Sequence, residues 1–277
     1  MGMRISTNVS AINAQRTLVG SQREIGKSMA QLASGSRITK SADDAAGLAI
    51  SENLKSQIRS LSQANRNAND GISMVQVAEG GLNEISNILT RMRELGIQAS
   101  SDTVGDTERG MLDKEVQQVK AEIQRIADST RFGTTKLLDG SGDTFDFQVG
   151  INNDPEADRI SFNAGETNAT IGNLGVDGFD FSTKEGAQEA LALVDAAQTT
   201  VNGFRANLGA LQNRLQSTTD NLGVQHENLS AANSRIRDAD VAAATADMTR
   251  ANILLNANTT VLSQANSIPN SALKLIG

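Results

Sequence analysis

The feature that most constrains the fold is an apolar stripe in the second half of the chain, whose members alternate strictly between spacings of four and three residues. Only two of its members, Thr218 and Gln225, are polar. An apolar repeat of this kind is typical of a helix that packs along a coiled-coil seam. A helix of this span is about 70 Å long at roughly 1.5 Å per residue. The stripe consists of Ala190, Val194, Ala197, Val201, Phe204, Leu208, Leu211, Leu215, Thr218, Leu222, Gln225, Leu229, Ala232 and Ile236.

A matching stripe predicts a second long helix in the first half of the chain. Its phase slips near Ala78, beside Gly80 and Gly81, where we expect a local change in winding. Ser41 and Asp44 have the spacing of a capping box at the start of this helix. The members of the stripe are Leu54, Ile58, Leu61, Asn65, Ala68, Ile72 and Val75, followed by Leu82, Ile85, Leu89 and Met92.

A shorter helix and a β-hairpin are predicted between the two long helices. The helix runs from about Thr107 to Asp128, and after it the apolar period changes from helical to two. An Asn-Asn-Asp-Pro-Glu segment between two alternating runs indicates a hairpin. A further short strand is expected near Phe179. The alternating residues are Phe145, Phe147, Val149 and Ile151 before the turn, and Ile160 and Phe162 after it.

The two chain ends carry heptad-spaced apolar residues, but neither end is long or apolar enough to form a stable lone helix in water. Each end therefore needs a partner, and we expect the two ends to pair with each other. Alanines at positions 244, 251 and 265 allow a close helix approach, and Pro269 is expected to end the last helix. The terminal seam residues are Ile5, Val9, Ile12, Leu18, Ile25, Met29 and Leu32 near one end, and Val241, Met248, Leu255 and Leu262 near the other.

The composition favours slender helical rods and argues against two classes of partner. The chain has no Trp, Tyr or Cys and only 3% aromatic residues, so most of its core is aliphatic and thin. With 25 basic and 32 acidic residues and no basic cluster, it lacks the positive face that binding to nucleic acid requires. No apolar run is long enough to cross a membrane.

No group of residues in the sequence suggests an enzyme, a cofactor or a metal site. His226 is the single histidine, and it lies beside a seam position with no Cys or second His to support a catalytic or metal-binding role. Rods with polar outer faces and weak ends bury too little surface in one copy. We therefore expect a structural protein that assembles with further copies of itself.

Five segments of the chain closely resemble bacterial flagellin. The resemblance covers about the first 140 and the last 95 residues, in the order found in that family. The segments are NVSAINAQRTL (residues 8–18), LASGSRITKSADDAAGLAISE (32–52), QANRNANDGISMVQVAEGGLNEISNIL (63–89), RIRDADVAAATADMTRANIL (235–254) and VLSQANSIPNSALKLIG (261–277).

This resemblance implies a mainly α fold, in which the N- and C-terminal segments form a long coiled-coil helical bundle with a small β-hairpin region. It implies an inner terminal coiled-coil domain formed by residues 1–42 and 236–277. It also implies a helical rod domain of residues 43–235, with the hairpin region at about 140–183. Only about 45 residues separate the helical parts, so the chain looks like a short flagellin without the outer variable domains.

The resemblance also implies a function. Flagellins are structural subunits that polymerise into the bacterial flagellar filament for swimming motility. The expected partners are further copies of the chain, a flagellin export chaperone, and the filament cap and junction proteins; no nucleic acid, membrane or cofactor is expected. Export through the flagellar type III apparatus would place the protein outside the cell.

The stretch RMRELGIQA resembles the flagellin segment that the host innate receptor TLR5 (toll-like receptor 5) recognises. Arg91 and Leu95 match the contact positions of that segment, and Glu115 matches the acidic position on the following helix. The resemblance implies that the same surface serves subunit packing along the filament.

Two other functions remain as alternatives at this stage. A hook–filament junction protein would share the terminal segments but would cap the polymer instead of extending it. A coiled-coil adaptor would account for the heptads, but it would not account for the specific sequences at both ends. The stretches NDGIS and ADMTRANIL favour the filament subunit.

Overall fold

The computed structural model describes the backbone of residues 7–276 and the side chains of residues 7–267. Five α-helices make up most of it, so the predicted mainly α fold is confirmed. The predicted seam residue Ile5 lies outside the described residues. The helices are α1 (Val9–Ser34), α2 (Ala45–Ala99), α3 (Asp106–Ser129), α4 (Lys184–Arg237) and α5 (Val241–Ile276).

The strands all lie between α3 and α4 and form two antiparallel pairs. The first pair is β1 (Arg131–Phe132) with β2 (Thr135–Lys136). The second is β3 (Thr144–Gln148) with β4 (Arg159–Asn163), in a register that places Phe145 opposite Phe162 and Phe147 opposite Ile160. The second pair is the hairpin that the period-two pattern predicted.

The chain divides into two compact units, with boundaries between residues 57 and 58 and between residues 227 and 228. One unit holds residues 58–227, and the other holds the segments on either side. The core of the unit 58–227 is the predicted seam, where the stripe residues of α2 and α4 are buried together with apolar residues of α3 and the hairpin. Its buried members include Ala68, Val75, Leu82, Leu89, Val116, Ile123, Leu138, Val194, Val201, Leu208 and Leu215.

The hairpin packs closely on α2 because α2 carries a glycine at the contact. A Cβ atom on Gly71 would lie 3.1 Å from the ring of Phe147, so a side chain there would push the strand away. Beside this contact, the Asn67 amide donates to the Gln148 carbonyl at 2.9 Å. Aromatic side chains gather in this hairpin, with the Phe145 and Phe162 rings stacked 6.3 Å apart.

Residues 177–181 do not form the short strand that we expected near Phe179. Their backbone is instead held by side chains of α3: the Lys120 ammonium donates to the carbonyls of Asp177 and Phe179. It also lies 4.0 Å from the centre of the Phe179 ring. Burial lowers the pKa of Lys120. This backbone forms hydrogen bonds with side chains of α3 and does not pair with another strand.

Two of the expected helix boundaries are wrong. The helix α2 begins at Ala45, so its cap is Asp44, whose carboxylate accepts from the Gly47 amide at 2.8 Å. Ser41 lies one turn too early to cap it, and the expected capping box does not form. The helix α5 continues past Pro269 to Ile276, although proline removes one backbone hydrogen bond of a helix.

The helix α2 continues without a break through the region where a change in winding was expected. The buried positions change phase at Ala78, and the glycines that follow it differ in their surroundings. A Cβ on Gly80 would meet nothing within 4 Å, whereas a Cβ on Gly81 would lie 2.7 Å from Leu138 Cδ1 and 2.7 Å from Thr130 Oγ1. Gly81 therefore lets the segment after α3 pack directly on α2.

We predict opposite effects for alanine at these two adjacent glycines. Gly81→Ala should lower the free energy of unfolding by about 1–3 kcal/mol, because Leu138 is fully buried and cannot move aside. Gly80→Ala is the matched control and should raise it by up to about 1 kcal/mol, since alanine is the better helix former. Urea unfolding of the two variants measures the difference. Equal effects would contradict the close packing at Gly81.

Candidate functional site

The terminal helices α1 and α5 lie side by side and form an antiparallel pair. Asn8 donates to the Ala265 carbonyl at 2.8 Å, and Asn258 donates to the Ser21 hydroxyl at 3.2 Å. The side chains buried between the helices are small, and the rows they form have a period of seven. They are Ala14 and Ser28 on α1, and Ala244, Ala251 and Ala265 on α5.

The small residues on α5 are those expected to allow a close helix approach. Their counterparts on α1, Ala14, Ser21 and Ser28, were missed because two of the three are polar and do not stand out in an apolar stripe. Their spacing of seven residues was the available signal.

The predicted terminal seam residues fall into two groups. Those in the first group flank the small residues and are half-buried in the helix pair. Those in the second group point away from it and are 54% to 61% exposed. The first group is Leu18, Ile25, Leu32, Met248, Leu255 and Leu262, and the second is Val9, Ile12, Met29 and Val241.

The exposed group belongs to a larger set of exposed apolar residues on α1 and α5. On α1, Ile12 and Val19 alternate with Arg16 and Arg23 around a shallow groove of about 420 Å³. On α5 the exposed residues include Ile253, Leu254 and Val261. We name these outward apolar residues of α1 and α5 the terminal outer face. A single chain leaves this face in contact with water.

Just beyond the ends of the pair, the two chain segments are joined by backbone hydrogen bonds. The Arg37 amide donates to the Arg237 carbonyl at 2.6 Å, and the Ala239 amide donates to the Gly35 carbonyl at 2.9 Å. Gly35 has a φ of 66°, a conformation that glycine adopts without steric cost. The Arg37 guanidinium adds a bond to the Ile236 carbonyl at 2.7 Å. These bonds fix the point at which both segments leave the helix pair.

The predicted receptor residues are only partly brought together. The Arg91 guanidinium on α2 donates to the Glu115 carboxylate on α3 at 2.9 Å, and it also pairs with Glu94 at 3.0 Å. The hydrogen bond that Arg91 donates to Glu115, followed by the one that it donates to Glu94, raises the pKa of Arg91. Leu95 is 1% exposed, so its side chain belongs to the core and does not lie on this surface. Its role as a receptor contact stays a prediction.

No catalytic arrangement was predicted from the sequence. His226 is exposed on α4. Within the described residues, no cluster of three or more His, Asp or Glu side chains could hold a metal ion. None of the described helices combines the length and the apolar character needed to cross a membrane.

Comparisons with known proteins match the helical segments at both ends of the chain. Residues 5–143 match the profile described as the bacterial flagellin N-terminal helical region, and residues 191–276 match that of the C-terminal helical region. Together the two matches cover most of the chain. The chain belongs to the bacterial flagellin family.

Full-length flagellins of similar size support this membership. The flagellin of Halalkalibacterium halodurans is 43% identical over 274 residues, which span 99% of this chain and 100% of that protein. The flagellar filament core protein flaB2 of Brachyspira hyodysenteriae is 40% identical over 286 residues, with 99% and 100% coverage. The crystal structure of Bacillus cereus flagellin superposes with a TM-score of 0.51 at 31% identity, and covers 61% of this chain and 94% of that one.

The flagellin matches leave out residues 144–190, which contain the β3–β4 hairpin and the segment held by α3. A relative of 274 aligned residues matches across the whole chain, so the prediction of a short flagellin is confirmed. Flagellins are structural subunits that polymerise into the flagellar filament, and this chain is one of them.

We predict that the small residues between α1 and α5 are required for the helix pair. Ala251→Leu should lower the free energy of unfolding of the helix pair by about 1–3 kcal/mol, because a larger side chain forces the two helices apart. Ala257→Leu is the matched control, since Ala257 is exposed on the same helix and should tolerate leucine. Far-ultraviolet circular dichroism during thermal unfolding measures the loss of helix. Equal melting of the two variants would contradict the pairing.

Proposed function

We propose that this flagellin subunit polymerises through the terminal outer face, which neighbouring copies cover in the filament. The observation that carries the proposal is the exposure of four predicted seam residues, Val9, Ile12, Met29 and Val241, on helices whose paired side buries mostly small residues. Burying such an apolar side chain contributes roughly 1.5–3 kcal/mol. Several of them per subunit, repeated along a polymer, would stabilise it strongly.

The weakness of the α1–α5 pair in one copy also fits assembly. Its buried residues are mainly alanine and serine, which remove little apolar surface from water. Larger side chains lie on its flanks and outer face. Each neighbouring copy that packs against the terminal helices therefore stabilises them further. This couples the stability of the helices to polymer growth.

We assign residues 1–42 and 236–277 to an inner terminal domain, and residues 43–235 to a helical rod domain with a hairpin region at about 140–183. The backbone bonds between Arg37 and Arg237, and between Gly35 and Ala239, support a boundary close to these positions. Beyond this point the two segments are no longer held by the α1–α5 pair.

Further parts of the proposal follow from membership of the family. They are export through the flagellar type III apparatus to the outside of the cell, recognition of the terminal region by an export chaperone, and contact with filament cap and junction proteins. The long exposed terminal helices support these assignments, since a partner could bind their apolar face before the filament covers it. No catalytic activity is proposed.

We predict that a charge on the terminal outer face blocks polymerisation without unfolding the monomer. Ile12→Asp should raise the monomer concentration in equilibrium with filaments by more than about tenfold, because the charge would have to be buried between copies. Gln22→Asp, an exposed polar position on the same helix, is the control and should change it little. Sedimentation of seeded filaments measures this concentration. Normal polymerisation of Ile12→Asp would refute the proposed face.

We also propose that the Arg91–Glu115 pair is recognised by the host receptor TLR5. The paired charges on two adjacent helices form a fixed, exposed surface, and arginine is often a dominant contact in protein interfaces. Leu95 supports this surface from within the core.

For this receptor surface we predict that Arg91→Ala weakens receptor activation by monomeric protein by about fivefold or more. Arg125→Ala is the control, because Arg125 is an exposed arginine on α3 that is likewise paired with a carboxylate. A cell assay with the receptor as its only flagellin sensor measures the response. Equal responses of the two variants would exclude Arg91 as a contact.

A further inference from the structure

Four polar atoms in the described residues are shielded from solvent and have no hydrogen-bond partner, and all four are on α4. They are Gln198 Oε1, Arg205 Nε, Thr219 Oγ1 and Asn233 Oδ1. Their positions differ by seven or fourteen residues, so they lie on one heptad row. This row directly follows the seam residues of α4, such as Ala197, and flanks the apolar core.

Two hydrogen bonds in the unit 58–227 show which residues of α2 face this row. Gln198 donates to the Ser86 hydroxyl at 2.7 Å, and Asn65 donates to the Thr219 carbonyl at 3.4 Å. The helices therefore run antiparallel with a constant register between these two contacts. Ser86 is seven residues after Glu79 and Asn65 is fourteen before it, while Gln198 is seven residues before Arg205 and Thr219 is fourteen after it. The register thus places Glu79 opposite Arg205.

Glu79 and Arg205 carry opposite charges but do not form an ion pair with each other. No ion pair within 4.0 Å and no side-chain hydrogen bond involves Glu79 or Arg205 in the described part of the chain, and both residues are half-buried. The layer seven residues away on one side contains the Ser86–Gln198 bond, and the layer fourteen residues away on the other side contains the Asn65–Thr219 bond. A buried N–H group without an acceptor is unfavourable, and a carboxylate on the facing helix is the acceptor that would satisfy it best.

We propose that Glu79 and Arg205 form an ionic latch between α2 and α4, which is open in the single chain and closes in the filament. The inference rests on the proposed function, since polymerisation supplies the change of environment. In this proposal, neighbouring copies pack against this flank as well as against the terminal outer face and exclude water, and the attraction between the two charges grows as the effective dielectric constant falls. Closure requires only rotation of two long side chains, because the register already places them in one layer.

The closed latch would tie the two long helices together at the layer next to Ala78, where the buried positions of α2 change phase. Seven residues away on each helix, the Ser86–Gln198 bond already fixes the register. A further link at Glu79 would fix it on both sides of the phase change. The latch would thus make the rigidity of the subunit depend on its assembly.

A double-mutant cycle tests the latch in both states of the protein. The variants are Glu79→Gln, Arg205→Gln, the double variant, and the charge swap of Glu79→Arg with Arg205→Glu. Each is measured as full-length protein, once by urea unfolding of the monomer and once by the monomer concentration in equilibrium with seeded filaments. A second cycle, Glu84→Gln with Arg205→Gln, is the control, because Glu84 is exposed on another face of α2.

For filaments we expect each single variant to raise the residual monomer concentration about tenfold, as close charge pairs do when one partner is removed. The double variant should raise the residual monomer concentration by about the same factor as one single variant, and not by the product of the two factors. The charge swap should restore this concentration to within about threefold of that of the unmodified protein. In the control cycle, the factor for the double variant should equal the product of the two single factors. In the monomer, the two substitutions should show less than about twofold coupling in the unfolding constant.

Two results would overturn the latch. Multiplicative effects of Glu79→Gln and Arg205→Gln in filaments would show that the two side chains do not interact there. Strong coupling in the monomer would show that the pair is already closed in the single chain. If the unmodified protein itself formed no filaments, the proposed function would fail, and this outcome is distinct from both.

Discussion

The apolar seam between α2 and α4 is the interaction on which the rest of the unit 58–227 depends. Because the apolar stripes repeat about every 3.5 residues, with one change of phase at Ala78 on α2, the two helices bury their stripes against each other, and residues such as Leu89 and Val201 are fully buried. The helix α3 and the β3–β4 hairpin then cover the sides of this seam. Glycines at positions 71 and 81 let these elements approach α2 closely. A chain with almost no large aromatic residues can build a dense core in this way.

The terminal helix pair follows a different design. Its inner face is lined by alanine and serine with a few amide hydrogen bonds, and much of its apolar surface faces outward. In a monomeric protein an exposed apolar surface of this kind would favour aggregation, whereas in a polymer neighbouring copies can cover it. The unit 58–227 thus buries a continuous apolar core of its own, whereas the terminal helices leave part of their apolar surface exposed. Polymerisation by the flagellin family fits this division.

Polar residues between the helices determine the register of packing, which the apolar stripes alone do not define. Aliphatic stripes of period 3.5 pack almost equally well after a shift of one heptad, so they do not define a unique register. In the unit 58–227, the Ser86–Gln198 and Asn65–Thr219 contacts define it, and α3 holds residues 177–181 through Lys120. In the terminal pair, Asn8 and Asn258 have the same role. The register they fix is also what aligns Glu79 with Arg205.

The helices, the seam and the hairpin could be predicted from the amino-acid pattern, because an apolar period shows which residues share a face of an element. The family could also be predicted, from the long terminal segments. Which faces are covered could be read only from the packing of the helices: Leu95 is in the core although its matched neighbour Arg91 is on the surface, and Ile12 is exposed although Leu18 is half-buried. The structure also shows that Asp44, and not Ser41, caps α2. The physical reason is that a face becomes buried only through the position of its partner, and that position depends on contacts between residues far apart in the chain.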